Sequence, residues 1–275
     1  MAAVEREVKR KGMRVAVSVE DHVSEPEALL SWKSVTLVLL TAALAVVLGT
    51  LAGYGATALF DVWSRIGEPR AFAAGEMEAL LTARVAISLF AFQLVTILLA
   101  LVANALFARA GGTFLPFTVP RGGIKTFALA TVGLIVLAFI YGGCVFALDR
   151  EAFQHDINPF ADLMLARTWW LVLIAAGIGA PIAEECLFRG LIYGALRRTP
   201  LGIAGAAAAT AIMWAFLHAS YSIYGIAAIT LIGIYLALVR ERTGSLLTPI
   251  ICHGVYNSLI VLILAFAPNS SLVAG

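Results

Sequence analysis

Residues 168–196 read TWWLVLIAAGIGAPIAEECLFRGLIYGAL, from Thr168 to Leu196: an apolar run broken only by Glu184, Glu185 and Arg189. A helix that crosses a bilayer needs about 20 mostly apolar residues, and this run is long enough despite the three charges at its centre. An ionisable group at that depth costs at least a few kcal/mol and normally faces a partner or a cavity. The stretch therefore reads as a membrane helix with chemistry in it.

Working outward, the rest of the chain repeats the first half of that reading and not the second. Of its 275 residues 61% are hydrophobic and 13% charged, against roughly 45–50% and about 25% in an ordinary soluble domain. Twelve of the 36 charges fall within residues 1–34. Three uncharged windows, Val35–Phe60, Val85–Ala108 and Thr126–Leu148, precede the quoted run. After it, 41 residues between Arg198 and Arg240 carry no charge, enough for two spans with a turn at Ser220–Ser222. A last window, Thr243–Gly275, adds a span ending near Pro268. The expectation is an all-α, multi-pass transmembrane helix bundle of about seven helices.

Three segments follow: a cytoplasmic tail at 1–34, N-terminal transmembrane helices with connecting loops at 35–167, and a catalytic helical core at 168–267. With that helix count, thirteen Lys/Arg flank one membrane face and five the other, which puts the N-terminus in the cytoplasm of a plasma-membrane protein. The charged first 34 residues lack the apolar core of a cleavable signal. Residues 149–167, charged among apolar positions, suit an interfacial helix. Gly49 and Gly53, Gly190 and Gly194, and Ala206–Ala209 suit close helix approach in lipid.

Other classes are excluded by the same arithmetic. A net charge of +2 assembles no basic stripe for a nucleic-acid partner. Cys144, Cys186 and Cys252 are odd in number and lie in apolar stretches, as small buried hydrophobes rather than a disulfide framework. The bilayer itself is the expected partner.

The polar residues inside the spans have a geometry. Glu185 and Arg189, at i and i+4, share a helical face and can pair, while Glu184 points about 100° away. His218 ends the fifth span with Trp214 one turn before it, and His253 stands one turn before Asn257 in the seventh. Each alone has a plain structural reading, as a clasp or a satisfied core histidine. Together they suit hydrolysis between the fourth, fifth and seventh helices. A carboxylate and a histidine can deprotonate water, and a second histidine with an amide can hold an oxyanion. Depth is a tension: at about 1.5 Å per residue, His253 lies roughly 10 Å from Leu246 but His218 roughly 25 Å from Leu201. Staggered starts, or a kink at Pro249, would let them meet.

Glu184-Glu185-Cys186-Leu187-Phe188-Arg189 reads E-E-x-x-x-R, and His253-Gly254-Val255-Tyr256-Asn257 reads H-x-x-x-N. With His218 between them, order and spacing resemble the CPBP intramembrane proteases, which include the type II CAAX prenyl proteases and bacteriocin-immunity homologues. The resemblance covers about residues 168–265. It implies an integral membrane endopeptidase in which Glu184 and His218 activate water, His253 and Asn257 stabilise the oxyanion, and Glu185 and Arg189 orient the helix. It also implies a peptide or lipid-modified protein as substrate, since eukaryotic members trim prenylated CAAX proteins. The family's second motif usually reads F-x-x-x-H; here Trp214 stands first. The archaeal pattern adds a helix beyond H-x-x-x-N, which the eight residues after Ala267 are too few to form.

A metal-free, glutamate-activated water is the preferred chemistry. Zinc on Glu184, His218 and His253 is the alternative, with Cys186 and Cys252 beside the motifs, although no H-E-x-x-H places two ligands on one turn. A proton-coupled transporter is a rival reading, weakened by the lack of internal repeats. A non-catalytic immunity or scaffold protein is another, weakened by the filled motif positions.

Overall fold

The computed structural model describes residues 29–66, 72–107 and 113–266. Most of the expected tail, and the end of the last span near Pro268, lie outside the described residues. Among those residues all regular secondary structure is helical. Eight helices follow one another: α1 Trp32–Ser64, α2 Glu76–Phe107, α3 Ile124–Leu148, α4 Arg150–Met164, α5 Trp169–Leu196, α6 Gly202–Phe216, α7 Ile223–Thr243 and α8 Leu247–Phe266. Six of them, all but α4 and α6, are long and apolar enough to cross a membrane. This is a multi-pass membrane protein.

The expected fifth span, α6, is the one that differs in length. At 15 residues α6 covers about 22 Å, short of a hydrocarbon core about 30 Å thick. Absence of charge from 199 to 239 supplied apolar length for two spans, but the chain turns back early, through residues 217–222. Polar His218, Ser220 and Ser222 sit in that turn, while the apolar residues beyond it form the full-length α7. The first two helices depart the other way. They run to 33 and 32 residues, well beyond their uncharged windows. Arg84 of α2 donates to Asp61 of α1 at 2.7 Å, so these charges extend the helices instead of ending them.

α5 is continuous but not uniformly α-helical. It widens into π-helical turns at Ala175–Gly179 and Glu185–Ile192, a deviation that often accompanies functional sites. Pro181 has no N–H to return to the preceding turn, and neighbouring helices supply donors there instead. Gln93 of α2 donates to the Ala175 carbonyl at 2.9 Å, and Asn257 of α8 donates to the Ala176 carbonyl at 2.9 Å. Pro249, by contrast, is the third residue of α8, where a missing N–H costs little. It starts the helix rather than kinking it.

Small residues set the spacing between elements. A Cβ at Gly49 or Gly53 of α1 would press on Phe92 and Thr96, or on Ser88, of α2. Gly190 and Gly194 of α5 leave room for Leu115 and Phe114. Gly254 of α8 lies against the backbone of α5, so a Cβ there would stand 2.8 Å from the Gly177 carbonyl oxygen. At one end of the bundle Glu241 of α7 accepts from Tyr193 and from Arg197, at 2.7 and 3.1 Å, pinning the last turn of α5.

The amphipathic helix α4 has one specific anchor. Asp149 caps it, accepting from the Ala152 N–H at 3.0 Å. Asp156 then takes both donors of Ser222, the N–H at 2.6 Å and the hydroxyl at 2.7 Å. Ser222 in turn caps α7 through the Gly225 N–H at 3.1 Å. A single carboxylate thus ties the 217–222 turn to a helix 66 residues away.

Two substitutions test this packing. Gly254→Ala meets backbone and cannot be relieved by a rotamer change, so overpacking lowers stability by about 1–3 kcal/mol, read as a lower thermal midpoint in detergent. Gly143→Ala, with nothing within 4 Å of the added methyl, leaves the midpoint unchanged or raised. Asp156→Ala speeds amide hydrogen exchange at Ser222, whose N–H loses its acceptor, and Ser222→Ala speeds exchange at Gly225, whose N–H loses its cap.

Candidate active site

Glu185 and Arg189 form the centre of the site. The Arg189 guanidinium donates through Nη1 to Glu185 Oε1 at 3.0 Å, with both side chains at 0% exposure. The same oxygen accepts from His253 Nδ1 at 2.9 Å. A carboxylate oxygen only accepts, so Nδ1 carries the proton and Nε2 is the free ring position. The pair expected on one face of the fourth span therefore holds a third member, from α8.

Trp214 of α6 organises the rest. Its indole Nε1 donates to Glu184 Oε2 at 2.8 Å. The Arg189 guanidinium stacks over its ring at 4.3 Å, a cation–π contact that offsets unmade hydrogen bonds at Arg189 Nε and Nη2. The rings of His218 and His253 both meet the indole edge-on, with centroids at 5.5 and 5.4 Å. This disposes of the depth tension. The two histidines need not touch, because the indole spans the step between them.

His218 lies just past the end of α6 and is half-buried. Its Nδ1 faces the Trp214 carbonyl oxygen at 3.1 Å, which fixes Nδ1 as the donor and leaves the Nε2 lone pair free. Tyr221 packs on its other side at 5.8 Å between ring centroids, and Phe160 of α4 packs on Tyr221 at 6.3 Å. The turn held by Asp156 is thus the turn that carries His218.

Glu184 and His218 line one cavity of about 150 Å³, together with Phe92, Thr96, Leu187, Phe188 and Leu217. His253 and Asn257 do not line it. The first is buried against Glu185, and the second has one amide N–H committed to Ala176 on the widened part of α5. A larger, open apolar groove of about 500 Å³ runs between α5 and α8 past Gly177, Pro181, Gly254 and Ser258. Sequence spacing pointed to none of Gln93, Thr96 and Asp156. They lie outside the motif-bearing spans, and only the fold brings them to the site.

The zinc alternative can be weighed against this donor set. His218 and His253 each meet the indole edge-on with Nδ1 engaged, which leaves Nε2 as the ring position a metal would take, and Glu184 accepts from the Trp214 N–H. Among the described residues, no three His, Cys, Asp or Glu side chains are grouped so as to hold a metal ion. Cys186 and Cys252 are free and buried.

Comparison with known proteins bears on the same region. Residues 166–259 match the family model described as type II CAAX prenyl endopeptidase Rce1-like. A protein of Escherichia coli named "Uncharacterized 24.3 kDa protein" is 30% identical over 132 residues, 47% of this chain and 57% of the relative. A protein of Bacillus subtilis (strain 168) named "Putative membrane peptidase YdiL" is 26% identical over 157 residues, 53% of this chain and 63% of the relative. The chain thus spans less than two thirds of the length of either relative. No solved structure matches it significantly. Glu184, Glu185, Arg189, Trp214, His218, His253 and Asn257 all lie within 166–259, and that segment matches the Rce1-like type II CAAX prenyl endopeptidase family that its motifs resemble.

Proposed function

We propose that the chain is an intramembrane endopeptidase that uses a glutamate- and histidine-activated water on a membrane-associated peptide or lipid-modified protein. The observation that carries this is the placement of Glu184 and His218 on one small cavity inside a membrane bundle, with His218 Nδ1 engaged and Nε2 left without a protein partner. A water there gives its proton to this pair as its oxygen bonds to the scissile carbonyl carbon. The carbonyl oxygen takes up the negative charge. Collapse of the tetrahedral species breaks the C–N bond, and the proton passes to the leaving nitrogen.

His253 and Asn257 are the oxyanion donors of this reading. Asn257 keeps a second amide N–H beside the one given to Ala176. With Nδ1 given to Glu185, His253 reaches the oxyanion through its Nε2 position. No step is routed through zinc. Counted with α6 as a crossing, the excess of Lys/Arg on one face supports a cytoplasmic N-terminus; the plasma membrane is the proposed location.

The test is an internally quenched peptide ending in a farnesylated CAAX sequence, beside its unprenylated form, presented to protein in lipid vesicles. New N-termini in membranes of cells making wild-type or variant protein are mapped in parallel by mass spectrometry. Glu184→Gln abolishes cleavage in both formats, and full activity in that variant would exclude the water-activating role. Cleavage survives a chelator, and purified protein carries no stoichiometric zinc; one tightly held zinc per chain with activity lost on chelation would reverse the metal assignment. Trp214→Phe keeps the ring but loses the N–H to Glu184, so kcat falls about tenfold, as expected for one hydrogen bond, while KM holds within about twofold.

A further inference from the structure

The cavity that holds Glu184 and His218 has a third polar wall, contributed by the half of the chain that carries none of the motifs. Thr96 of α2 lines it. Its residue is 1% exposed, and its hydroxyl has no hydrogen-bond partner in the protein. That is unusual for a helical threonine, whose ordinary resort is the carbonyl four residues back. Thr41, Thr50, Thr57, Thr230 and Thr243 all take it, at 2.8 to 3.1 Å.

Among the described residues, Thr96, Thr210 and Thr248 are the buried threonines with an unpartnered hydroxyl, and Thr96 is the one on this cavity. A buried hydroxyl left unmatched is destabilising, because its desolvation is not repaid by a hydrogen bond. Its surroundings are otherwise apolar: Phe92, Leu187, Phe188 and Leu217. Gly49 of α1 packs closely on the hydroxyl from the other helix: a methyl group there would stand 2.9 Å from Thr96 Oγ1.

An internal water is held by about three hydrogen bonds to groups that would otherwise be unsatisfied. Glu184, His218 and Thr96 are the three polar residues on a cavity of about 150 Å³, roomy enough for such a water. We infer that Thr96 is a third ligand of the water held by Glu184 and His218, and so a further catalytic residue. Its hydroxyl accepts from or donates to that water while Glu184 and His218 take the proton. Threonine suits this task because its hydrogen rotates to match whichever role the water leaves open. The inference rests on the proposed hydrolytic reading for its kinetic consequence, though not for the water contact itself.

An experimental map of the full chain that resolves solvent reads the contact directly. A water within hydrogen-bond distance of Thr96 Oγ1, Glu184 and His218 is expected. A map with Thr96 Oγ1 bonded to the Phe92 carbonyl and out of reach of solvent overturns the inference, whatever the chain cleaves. The kinetic arm uses Thr96→Val, which keeps the shape without the hydroxyl, and Thr96→Ser, which keeps the hydroxyl. The valine variant loses about tenfold in kcat with KM within about twofold and a thermal midpoint equal to or above wild type; the serine variant retains most of the activity. Wild-type kcat in Thr96→Val, or equal loss in both variants, overturns the catalytic role. Failure of the peptidase reading shows separately, as full activity in Glu184→Gln.

Discussion

The buried ion pair between Glu185 and Arg189 is the constraint on which the rest of the core depends. Removing two charges from water costs several kcal/mol each even after relaxation, and a membrane interior offers no solvent to return to. The pair persists because neighbouring helices complete it. α8 brings His253 to the same carboxylate oxygen, and α6 lays Trp214 across the guanidinium face. Separating either helix from α5 would leave a charge with fewer partners in hydrocarbon. Three helices are therefore fixed in register by one interaction, and Glu184 and His218 take their places from that register.

Backbone chemistry follows a similar logic. Only helices satisfy their own hydrogen bonds in lipid, and any departure must be made good by neighbours. α5 departs twice, through π-helical turns on either side of Glu184, with Pro181 removing one donor between them. Gln93 and Asn257 repay the first departure at Ala175 and Ala176. Asn257 therefore has a structural duty, clasping α8 to α5, alongside the role that its motif suggests. The close contact of Gly254 with the Gly177 carbonyl belongs to the same seam, and explains why a residue without a side chain follows His253.

Much of this was legible in the sequence, and the boundary is physical. Hydropathy marked the long helices because bilayer thickness imposes a length. Charge scarcity drew attention to the six residues from Glu184 to Arg189, since each exception is costly at that depth. The i,i+4 relation of Glu185 and Arg189 was readable because helical geometry is local. Half-length α6 was not, because an uncharged run says how much chain lipid will accept and not where it turns back. The widened turns of α5 were hidden too, since they depend on donors from α2 and α8. Thr96, Gln93 and Asp156 reach the core only through contacts 30 or more residues distant in the chain, which no local spacing encodes.

Two adjacent carboxylates with the same chemistry end up with different duties, and Trp214 is the reason. Glu185 is fully buried and shared between a guanidinium and an imidazole, so its charge is committed to holding the helices. Glu184, turned about a quarter of the way round the helix, is only half-buried and receives one neutral donor, the indole N–H. That leaves capacity on the carboxylate for a water. Phenylalanine, usual at this position in the family that the motifs resemble, would keep the wall against His218 and the face for Arg189 but supply no donor. With tryptophan, one ring supports the charge of Arg189, spaces the two histidines and aims Glu184 into the cavity. The tryptophan thus adds a hydrogen bond to the carboxylate proposed to activate water, without disturbing the ion pair beside it.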